Sequence, residues 1–174
     1  KVRKIEQKKA AFVGEYSALA LLDYSSADVK NPVNSDIVNE LRELILAARP
    51  KVVYTHNLAD KHDTHVATAA KVIKALRELP SDALPEKVYG CEVWRNLDSQ
   101  ICGGKRYDLA TEGRRVGNAT FFESHGTDEA AALTFAMDLT PLIKDKAMDI
   151  SGYITGYIDR FKADVSEKLN KFAK

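Results

Sequence analysis

The stretch of sequence that decides the fold is Val52-Val53-Tyr54-Thr55-His56-Asn57-Leu58-Ala59-Asp60-Lys61-His62-Asp63-Thr64-His65. It opens with β-branched and aromatic residues, which are typical of a strand. After it, apolar residues recur at the spacing of a helix, at Val66, Ala69, Ala70, Ile73 and Leu76. A strand, a polar loop and a helix in this order are typical of an open α/β sheet, where ligands bind at the carboxyl ends of the strands. The stretch therefore predicts a polar site at one edge of a sheet.

The flanking sequence extends this alternation in both directions. The pattern predicts strands at 17–22, 52–55, 87–94, 119–122 and 134–139. It predicts helices over 1–13, from the N-cap Ser35 to just before Pro50, over 64–79 and over 144–174. The polar, glycine-containing segment 97–117 is predicted to be a mobile loop beside the site.

These elements predict an α/β fold, specifically a Rossmann-like three-layer αβα sandwich with a mainly parallel sheet. The length of 174 residues suits a single domain over 1–174. The terminal helix 144–174 carries an apolar stripe beside charged neighbours. We expect this helix to pack on the domain or on a second subunit, and in the second case the protein is a homo-oligomer.

Composition and charge exclude several classes of protein. The 26 basic and 25 acidic residues leave a formal net charge of +1, which gives no general attraction to nucleic acid or to an anionic membrane. No apolar run approaches the roughly 20 residues that cross a bilayer, and residues 1–6 lack the apolar core of a signal peptide. The two cysteines, Cys91 and Cys102, are too few for a disulfide framework, so the predicted compartment is the cytoplasm.

The polar stretch holds histidines and carboxylates at a spacing that suits a metal or a proton-transfer site. His62 and His65 are three residues apart, so both imidazoles can face one point where a loop enters a helix. Neutral imidazole is a common zinc ligand, and Asp60 or Asp63 can either bind the metal or orient an imidazole. The alternative is that Asp63 or Thr64 caps the helix and the histidines are exposed loop residues. The spacing alone leaves both readings open.

Three pieces of sequence carry a resemblance to a known family. They are Arg49-Pro50-Lys51-Val52-Val53-Tyr54-Thr55-His56, the run His62-Asp63-Thr64-His65 that follows Asp60, and Phe135-Ala136-Met137-Asp138-Leu139-Thr140. The first two are similar to the R-P-D-V-V and H-P-D-H motifs of the zinc-dependent de-N-acetylases of the PIG-L or LmbE-like family, and the third resembles that family's late v-D-i-t segment. The resemblance implies a zinc cofactor and an N-acetylated amino sugar or related amide as the small-molecule substrate, hydrolysed to an amine and acetate.

The resemblance also implies roles for the residues of the polar stretch. His65 resembles the family's zinc ligand, and His62 resembles its catalytic histidine, which faces the reacting carbonyl. The acidic residue of H-P-D-H is moved by one position in this sequence, which leaves Asp60 or Asp63 as its substitute. We assign Asp60 to orienting the zinc ligand and Asp63 to catalysis.

The family's first motif, A-H-P-D-D-E, has no counterpart in this sequence. In the family it supplies two zinc ligands and the catalytic base, so His65 alone carries over as a ligand. Arg3 and Glu6 resemble the R-x-x-E helix that follows the motif, so we expect the domain to be incomplete at its amino end. A non-catalytic α/β module that binds a sugar or a protein partner on the same scaffold is the alternative. A nucleotide-binding protein is disfavoured, because no predicted strand is followed by a G-x-G-x-x-G turn.

Three residues beyond the polar stretch are predicted to contact the substrate. Arg95 and Asn96 come directly after a predicted strand, so they share the carboxyl edge of the sheet with His62. His125 follows another predicted strand and is a candidate proton carrier or substrate contact. A loop histidine without a role is the alternative for His125.

Overall fold

A computed structural model of the chain describes residues 2–91 and 136–172. Its helices are α1 (Val2–Val13), α2 (Ser26–Lys30), α3 (Asp36–Ala48), α4 (Asp63–Arg77), α5 (Thr140–Lys144) and α6 (Ile150–Phe172). Its strands are β1 (Val52–His56), β2 (Lys87–Cys91) and β3 (Ala136–Asp138), and a short 3-10 turn covers Ser81–Ala83. The predicted strand 119–122, the predicted loop 97–117 and the end of the predicted strand 87–94 lie outside the described residues.

The described strands form one sheet in the order β1-β2-β3. β1 and β2 are parallel, with Val53 opposite Val88 and His56 opposite Cys91, and this pairing confirms the predicted parallel arrangement of the two strands. β3 runs antiparallel to β2. The described residues therefore form a mixed α/β fold around a small three-stranded sheet, and they do not establish the full three-layer sandwich.

The core lies where α4 meets the sheet and α5. α4 packs against β1 and α5, while α2 and α3 contact α4. The buried apolar residues of this core are Val72, Ile73, Leu76, Leu79, Ala83, Val88, Leu139, Leu142, Ile143 and Ile154. On α4 they are Val72, Ile73 and Leu76, and the last two belong to the apolar spacing that predicted the helix 64–79. The packing of these residues fixes the second half of α4 against the rest of the core.

α3 confirms the helix predicted between Ser35 and Pro50, but its start is capped by a different residue. Ser35 has helical backbone angles and makes no side-chain capping hydrogen bond. Asn34 takes that role, because its Oδ1 accepts the backbone N–H of Asp36 at 3.0 Å. At the other end Arg49 adopts a left-handed conformation, with φ 46° and ψ 53°, and the helix stops before the proline.

The predicted strand at 17–22 is wrong. These residues have no regular secondary structure, and Leu19 and Leu21 are each 39% exposed. A strand needs a neighbouring strand for its backbone hydrogen bonds. No strand within residues 2–91 and 136–172 pairs with this run. The apolar run has the composition of a strand, but no strand in the described residues forms backbone hydrogen bonds with it.

The predicted terminal helix 144–174 starts later than predicted, because α5 ends at Lys144 and α6 begins at Ile150. Asp149 lies directly before α6 and its carboxylate caps that helix. Oδ1 accepts the backbone N–H of Ser151 at 3.2 Å, and Oδ2 accepts that of Gly152 at 2.7 Å. An aspartate in this position satisfies the free N–H groups of a helix start, so a new helix begins here.

The first two turns of α6 hold it to the core. Ile154 is 7% exposed, and the hydroxyl of Tyr153 donates to the carbonyl of Asp138 at 2.7 Å. Farther along α6, large apolar side chains are exposed at Ile158 (51%), Phe161 (70%) and Leu169 (57%). The start of α6 therefore contacts the core, whereas these side chains farther along the helix are exposed.

Within the described ranges, none of the helices combines the length and the apolar character that crossing a membrane requires.

Candidate functional site

The segment that joins β1 to α4, residues 57–62, is the centre of the candidate site and is called the site loop. Asn57 at its start is 1% exposed, and its side-chain amide donates to the carbonyl of Gly90 at 3.0 Å. Its Oδ1 accepts the backbone N–H of Ala59 at 2.9 Å. The site loop is thereby held against β2. Sequence analysis did not single out Asn57, although an asparagine directly after a strand is a common turn former.

Gly90 allows the site loop to lie this close to β2. A methyl group on Gly90 would come within 2.9 Å of Leu139 Cδ1, 3.2 Å of Asn57 Cα and 3.3 Å of the His56 carbonyl oxygen. Two of these three atoms belong to the backbone and cannot rotate away. We therefore expect Gly90→Ala to lower the free energy of unfolding by about 1–3 kcal/mol, measured by urea denaturation.

Gly156 in α6 is the matched control for this substitution. A methyl group there would meet the flexible end of Arg160 at an ordinary contact distance of 3.6 Å. Since alanine is favoured over glycine inside a helix, Gly156→Ala should stabilise the protein by about 0.5–1 kcal/mol. Equal effects of the two substitutions would contradict the packing argument for Gly90.

Asp60 is the buried centre of the site loop, with 4% of the residue exposed. Its Oδ1 accepts the backbone N–H of His62 at 3.0 Å. Its Oδ2 lies 3.1 Å from Nδ1 of His65. An ionised carboxylate can only accept a hydrogen bond, so the contact requires a proton on Nδ1 of His65. Asp60 therefore sets both the position and the tautomer of the His65 imidazole.

Three imidazoles stack in a column, the histidine column, with His65 in the middle. The ring of His56 lies 4.0 Å from that of His65 between centroids, with the planes 2° apart. The ring of His62 lies 4.8 Å from it, with the planes 30° apart. His56 ends β1, His62 precedes α4, and His65 lies in the first turn of α4. A strand, a loop and a helix thus each bring one ring to the carboxyl end of β1.

His62 and Asp63 lie exposed at the start of α4. His62 is the N-cap residue and makes no side-chain capping hydrogen bond, and Asp63 is the first residue of the helix. Neither Asp63 nor Thr64 is therefore the cap, which corrects the capping alternative left open by the spacing. A carboxylate in the first turn is favoured by the helix dipole. The arrangement leaves an imidazole and a carboxylate where a bound molecule could reach both.

The two aspartates of the site provide a matched test of burial. Asp60→Ala should lower the free energy of unfolding by about 1–3 kcal/mol, because the N–H of His62 and the ring of His65 both lose their buried acceptor. Asp63→Ala should cost less than about 1 kcal/mol, because an exposed carboxylate contributes only its interaction with the helix dipole. Urea denaturation of both variants measures the difference. Similar losses in the two proteins would show that Asp60 does not hold the site loop.

An open cavity of about 350 Å³ adjoins the histidine column. Its volume is in the range of small-molecule sites. The lining residues are Tyr54, Thr55, His56, Thr68, Val72 and Cys91. His56 belongs both to the cavity wall and to the column, so a small molecule in the cavity would lie beside the imidazoles.

The described residues fit one ligand of a zinc site and not a complete site. In the ranges 2–91 and 136–172, no three His, Cys, Asp or Glu side chains come together in a group that could hold a metal ion. His65 has the arrangement typical of a zinc-bound histidine, with one ring nitrogen donating to a carboxylate. A tight site needs at least three protein ligands.

Arg95, Asn96 and His125 lie outside the described residues, so their substrate contacts stay predictions. His56, Asn57 and Gly90 contribute to the site, and sequence analysis gave none of them a role in it. The sequence features that could have indicated these three residues are a histidine and an asparagine at the end of a strand and a glycine inside a strand.

Comparison with known proteins finds one family. Residues 1–76 match the model of the family described as PIG-L: GlcNAc-PI de-N-acetylase. The matched residues include β1, the site loop and nearly all of α4. No curated protein and no solved structure matches the chain. The family match confirms the resemblance found in the polar stretch.

Proposed function

Taking the match of residues 1–76 to the PIG-L family as the premise, we propose that this protein is a zinc-dependent hydrolase that removes the acetyl group from an N-acetylated amino sugar or a related amide. The observation that carries the proposal is the contact of 3.1 Å between buried Asp60 and Nδ1 of His65, beside exposed His62. In the reaction, water adds to the amide carbonyl carbon, the carbon–nitrogen bond breaks, and the amine and acetate leave.

Each residue of the site has one role in this proposal. His65 is a zinc ligand through Nε2, and Asp60 orients it by accepting from Nδ1. His62, as an imidazolium, stabilises the negative charge that develops on the amide oxygen. Asp63 is a carboxylate for proton transfer beside it. When bound, zinc supplies a water whose pKa is lowered to about 7 and polarises the amide oxygen.

The remaining parts of the site are assigned to residues outside the ranges 2–91 and 136–172. Arg95, Asn96 and His125 are proposed as substrate contacts. Within the described residues His65 is the side chain that matches the family's zinc ligand, so the other ligands are proposed to lie outside the ranges 2–91 and 136–172.

Two measurements on the full product of the gene that encodes this chain test the proposal. Metal analysis should find one zinc per chain, and an acetate-release assay should find turnover with an N-acetyl amino sugar such as N-acetylglucosamine. His65→Ala is the comparison, and it should be low in both zinc content and acetate release. A full product without metal that releases no acetate from any N-acetyl sugar tested would overturn the proposed enzyme.

A non-catalytic α/β module that binds a sugar or a protein is the second candidate. The observation that favours it is that, over the described part of the chain, no three-ligand group is formed. This candidate predicts saturable binding of an N-acetyl sugar to the full gene product, seen by calorimetry, with no metal and no acetate release.

The substrate is proposed to be a small molecule, with no nucleic acid as partner, because the formal net charge is only +1. The cytoplasm is the proposed compartment, because a chain with two cysteines does not depend on disulfides.

α6 is proposed to join two copies of the chain. Its exposed apolar residues recur at helical spacing, and they are Tyr157, Ile158, Phe161, Val165 and Leu169. The wild-type protein should therefore be a dimer in sedimentation equilibrium. Phe161→Glu should weaken dimerisation about 100-fold or more, because each chain loses the burial of one aromatic side chain and gains a charge.

Ala163→Glu is the control for this test, since Ala163 is exposed and lies away from the apolar stripe. It should remain dimeric at the concentrations at which Phe161→Glu is a monomer. A monomeric wild type, or equal effects of the two glutamates, would count against the dimer.

A further inference from the structure

We propose that a second cavity, between α2, α3 and α4, binds a small carboxylic acid with a compact apolar body and holds its carboxylate on the ammonium group of Lys71. The cavity has a volume of about 240 Å³, and Lys71 forms part of its wall. Thr68 also lines the cavity beside the histidine column, and the other described residues of the two walls differ. The described residues to which the proposed reaction assigns a role line neither this wall nor its ligand site, so the inference stands apart from that reaction.

Lys71 is a buried lysine in the middle of α4, with 7% of the residue exposed. Its Nζ donates to the backbone carbonyls of Asn31 at 2.9 Å and of Asn34 at 3.0 Å. Within residues 2–91 and 136–172 it forms no ion pair. An ammonium group carries three N–H donors. One donor and the positive charge are therefore left for a ligand.

A buried ammonium group is costly when it has no counter-charge. Two neutral carbonyls offset part of that cost, and a carboxylate would supply both the third acceptor and the missing negative charge. Hydrogen bonds between charged groups are roughly twice as strong as those between neutral groups, and the low dielectric of a buried site strengthens them further. Both carbonyls belong to the loop that joins α2 to α3, so the third N–H points away from that loop.

The rest of the wall suits an apolar body. Its aliphatic side chains are Leu22, Val29, Ile37 and Leu41. An apolar cavity of roughly 150 Å³ can bind benzene, so 240 Å³ leaves room for a ring or a branched chain together with one carboxylate. A single cation matches a monoanion, whereas a phosphate dianion would keep a second charge among apolar side chains. The cavity therefore favours a monocarboxylate over inorganic phosphate.

The other polar side chains of the wall are already engaged. Asp23 is the one carboxylate among the described lining residues, and its Oδ2 lies 2.5 Å from Nζ of Lys4. This pair is exposed, so solvent and the lysine both screen the charge of Asp23. The hydroxyl of Tyr24 donates to Glu40 at 2.9 Å, which leaves its ring for the wall. Lys71 is thus the described lining residue that can receive an anion.

Titration of benzoate into the full product of the gene, followed by calorimetry, tests the site. One saturable site per chain is expected. In a methyl-labelled sample, nuclear Overhauser effects should join the benzoate ring protons to the methyl groups of Val29, Ile37 and Leu41. No benzoate binding, or binding without these contacts, would overturn the proposal. Acetate release is not a readout, so the result does not depend on whether the protein is a deacetylase.

Two further probes separate the charge from the apolar body. Benzyl alcohol keeps the ring without the charge, and it should bind about 10–100-fold more weakly than benzoate, the range expected for a hydrogen bond to a charged group. Inorganic phosphate has the charge without the ring, and it should show no binding where benzoate saturates. Equal affinity for benzoate and benzyl alcohol, or phosphate binding as tight as that of benzoate, would contradict the assigned ligand class.

Lys71→Met removes the charge and keeps a long side chain. It should weaken benzoate binding about 10–100-fold and leave the affinity for benzyl alcohol nearly unchanged. Lys74→Met is the matched control, because Lys74 is exposed on the same helix and is not a described lining residue of the cavity. It should bind benzoate like the wild type. The same benzoate affinity in both variants would show that Lys71 does not hold the carboxylate.

Lys71→Met also removes the two bonds to the α2–α3 loop, so a second pair of variants tests the cavity with those bonds intact. Val29→Phe places a ring in the cavity and keeps Lys71, and it should weaken benzoate binding at least 10-fold. Val33→Phe, at a position that is 83% exposed, adds the same ring outside the wall and should bind benzoate normally. Wild-type affinity in a folded Val29→Phe protein would place benzoate elsewhere and overturn the proposal.

Discussion

In the full product of the gene, His65→Ala is expected to abolish zinc binding and acetate release together. Its ring is the described imidazole whose Nδ1 is held by a buried carboxylate, and removing it takes away Nε2 as a ligand. A zinc site that falls below three protein ligands holds the metal poorly. Metal analysis after dialysis and an acetate-release assay on the same preparation measure the two losses. Turnover should fall below detection.

The alanine variant also removes the contact between Asp60 Oδ2 and His65 Nδ1, which can cost about 1–3 kcal/mol of stability. His65→Gln is therefore measured beside it, because the glutamine amide can still donate to Asp60. Lys74→Ala, an exposed position on α4, serves as the control that should keep both metal and activity. A folded His65→Gln protein that retains zinc would show that His65 is not a ligand.

His62→Ala should have the opposite pattern, with zinc retained and turnover lost. His62 is exposed at the N-cap of α4 and is not assigned a bond to the metal. Its proposed work is to stabilise the oxyanion, and removing one such donor typically lowers kcat about 10²–10³-fold. Metal content and kcat, measured on one preparation, decide this prediction.

The exposed position of His62 makes the experiment simple to interpret. Its side chain is exposed and its replacement removes mainly the stacking contact with His65, so the free energy of unfolding should change little, as is usual for surface substitutions. Loss of zinc in a folded His62→Ala protein would reverse the proposed roles of the two histidines. Full retention of turnover would show that His62 does not stabilise the oxyanion, and no other described residue is assigned to that role.

The local order of the site could be predicted from the sequence because it rests on short-range patterns. The β-branched run at Val52 and Val53 and the helical spacing up to Leu76 correctly indicated β1 and α4. The pairing of β1 with β2 followed from the rule that strands joined through a helix are parallel. The role of Asp60 in orienting an imidazole stays a prediction, and its Oδ2 lies 3.1 Å from Nδ1 of His65.

The remaining features of the fold and of the site depend on contacts between residues that are distant in sequence, and local sequence patterns do not predict such contacts. The run 17–22 is apolar enough for a strand, but a ladder needs a partner strand that a propensity cannot supply. The flat contact of His56 with His65 joins residues nine positions apart and exists only once the site loop has folded back. Gly90 matters because of atoms in Asn57 and Leu139, which are distant in sequence.

The double hydrogen bonding of Asp60 also ties the site to the folding of α4. One carboxylate accepts the amide hydrogen of His62, at the entrance of the helix, and contacts the His65 ring within its first turn. Fraying of that turn breaks both contacts at once, so the site opens and closes as one cooperative unit. The amide of His62 therefore works as an internal reporter, since its rate of hydrogen exchange follows the integrity of the site in the absence of substrate or metal.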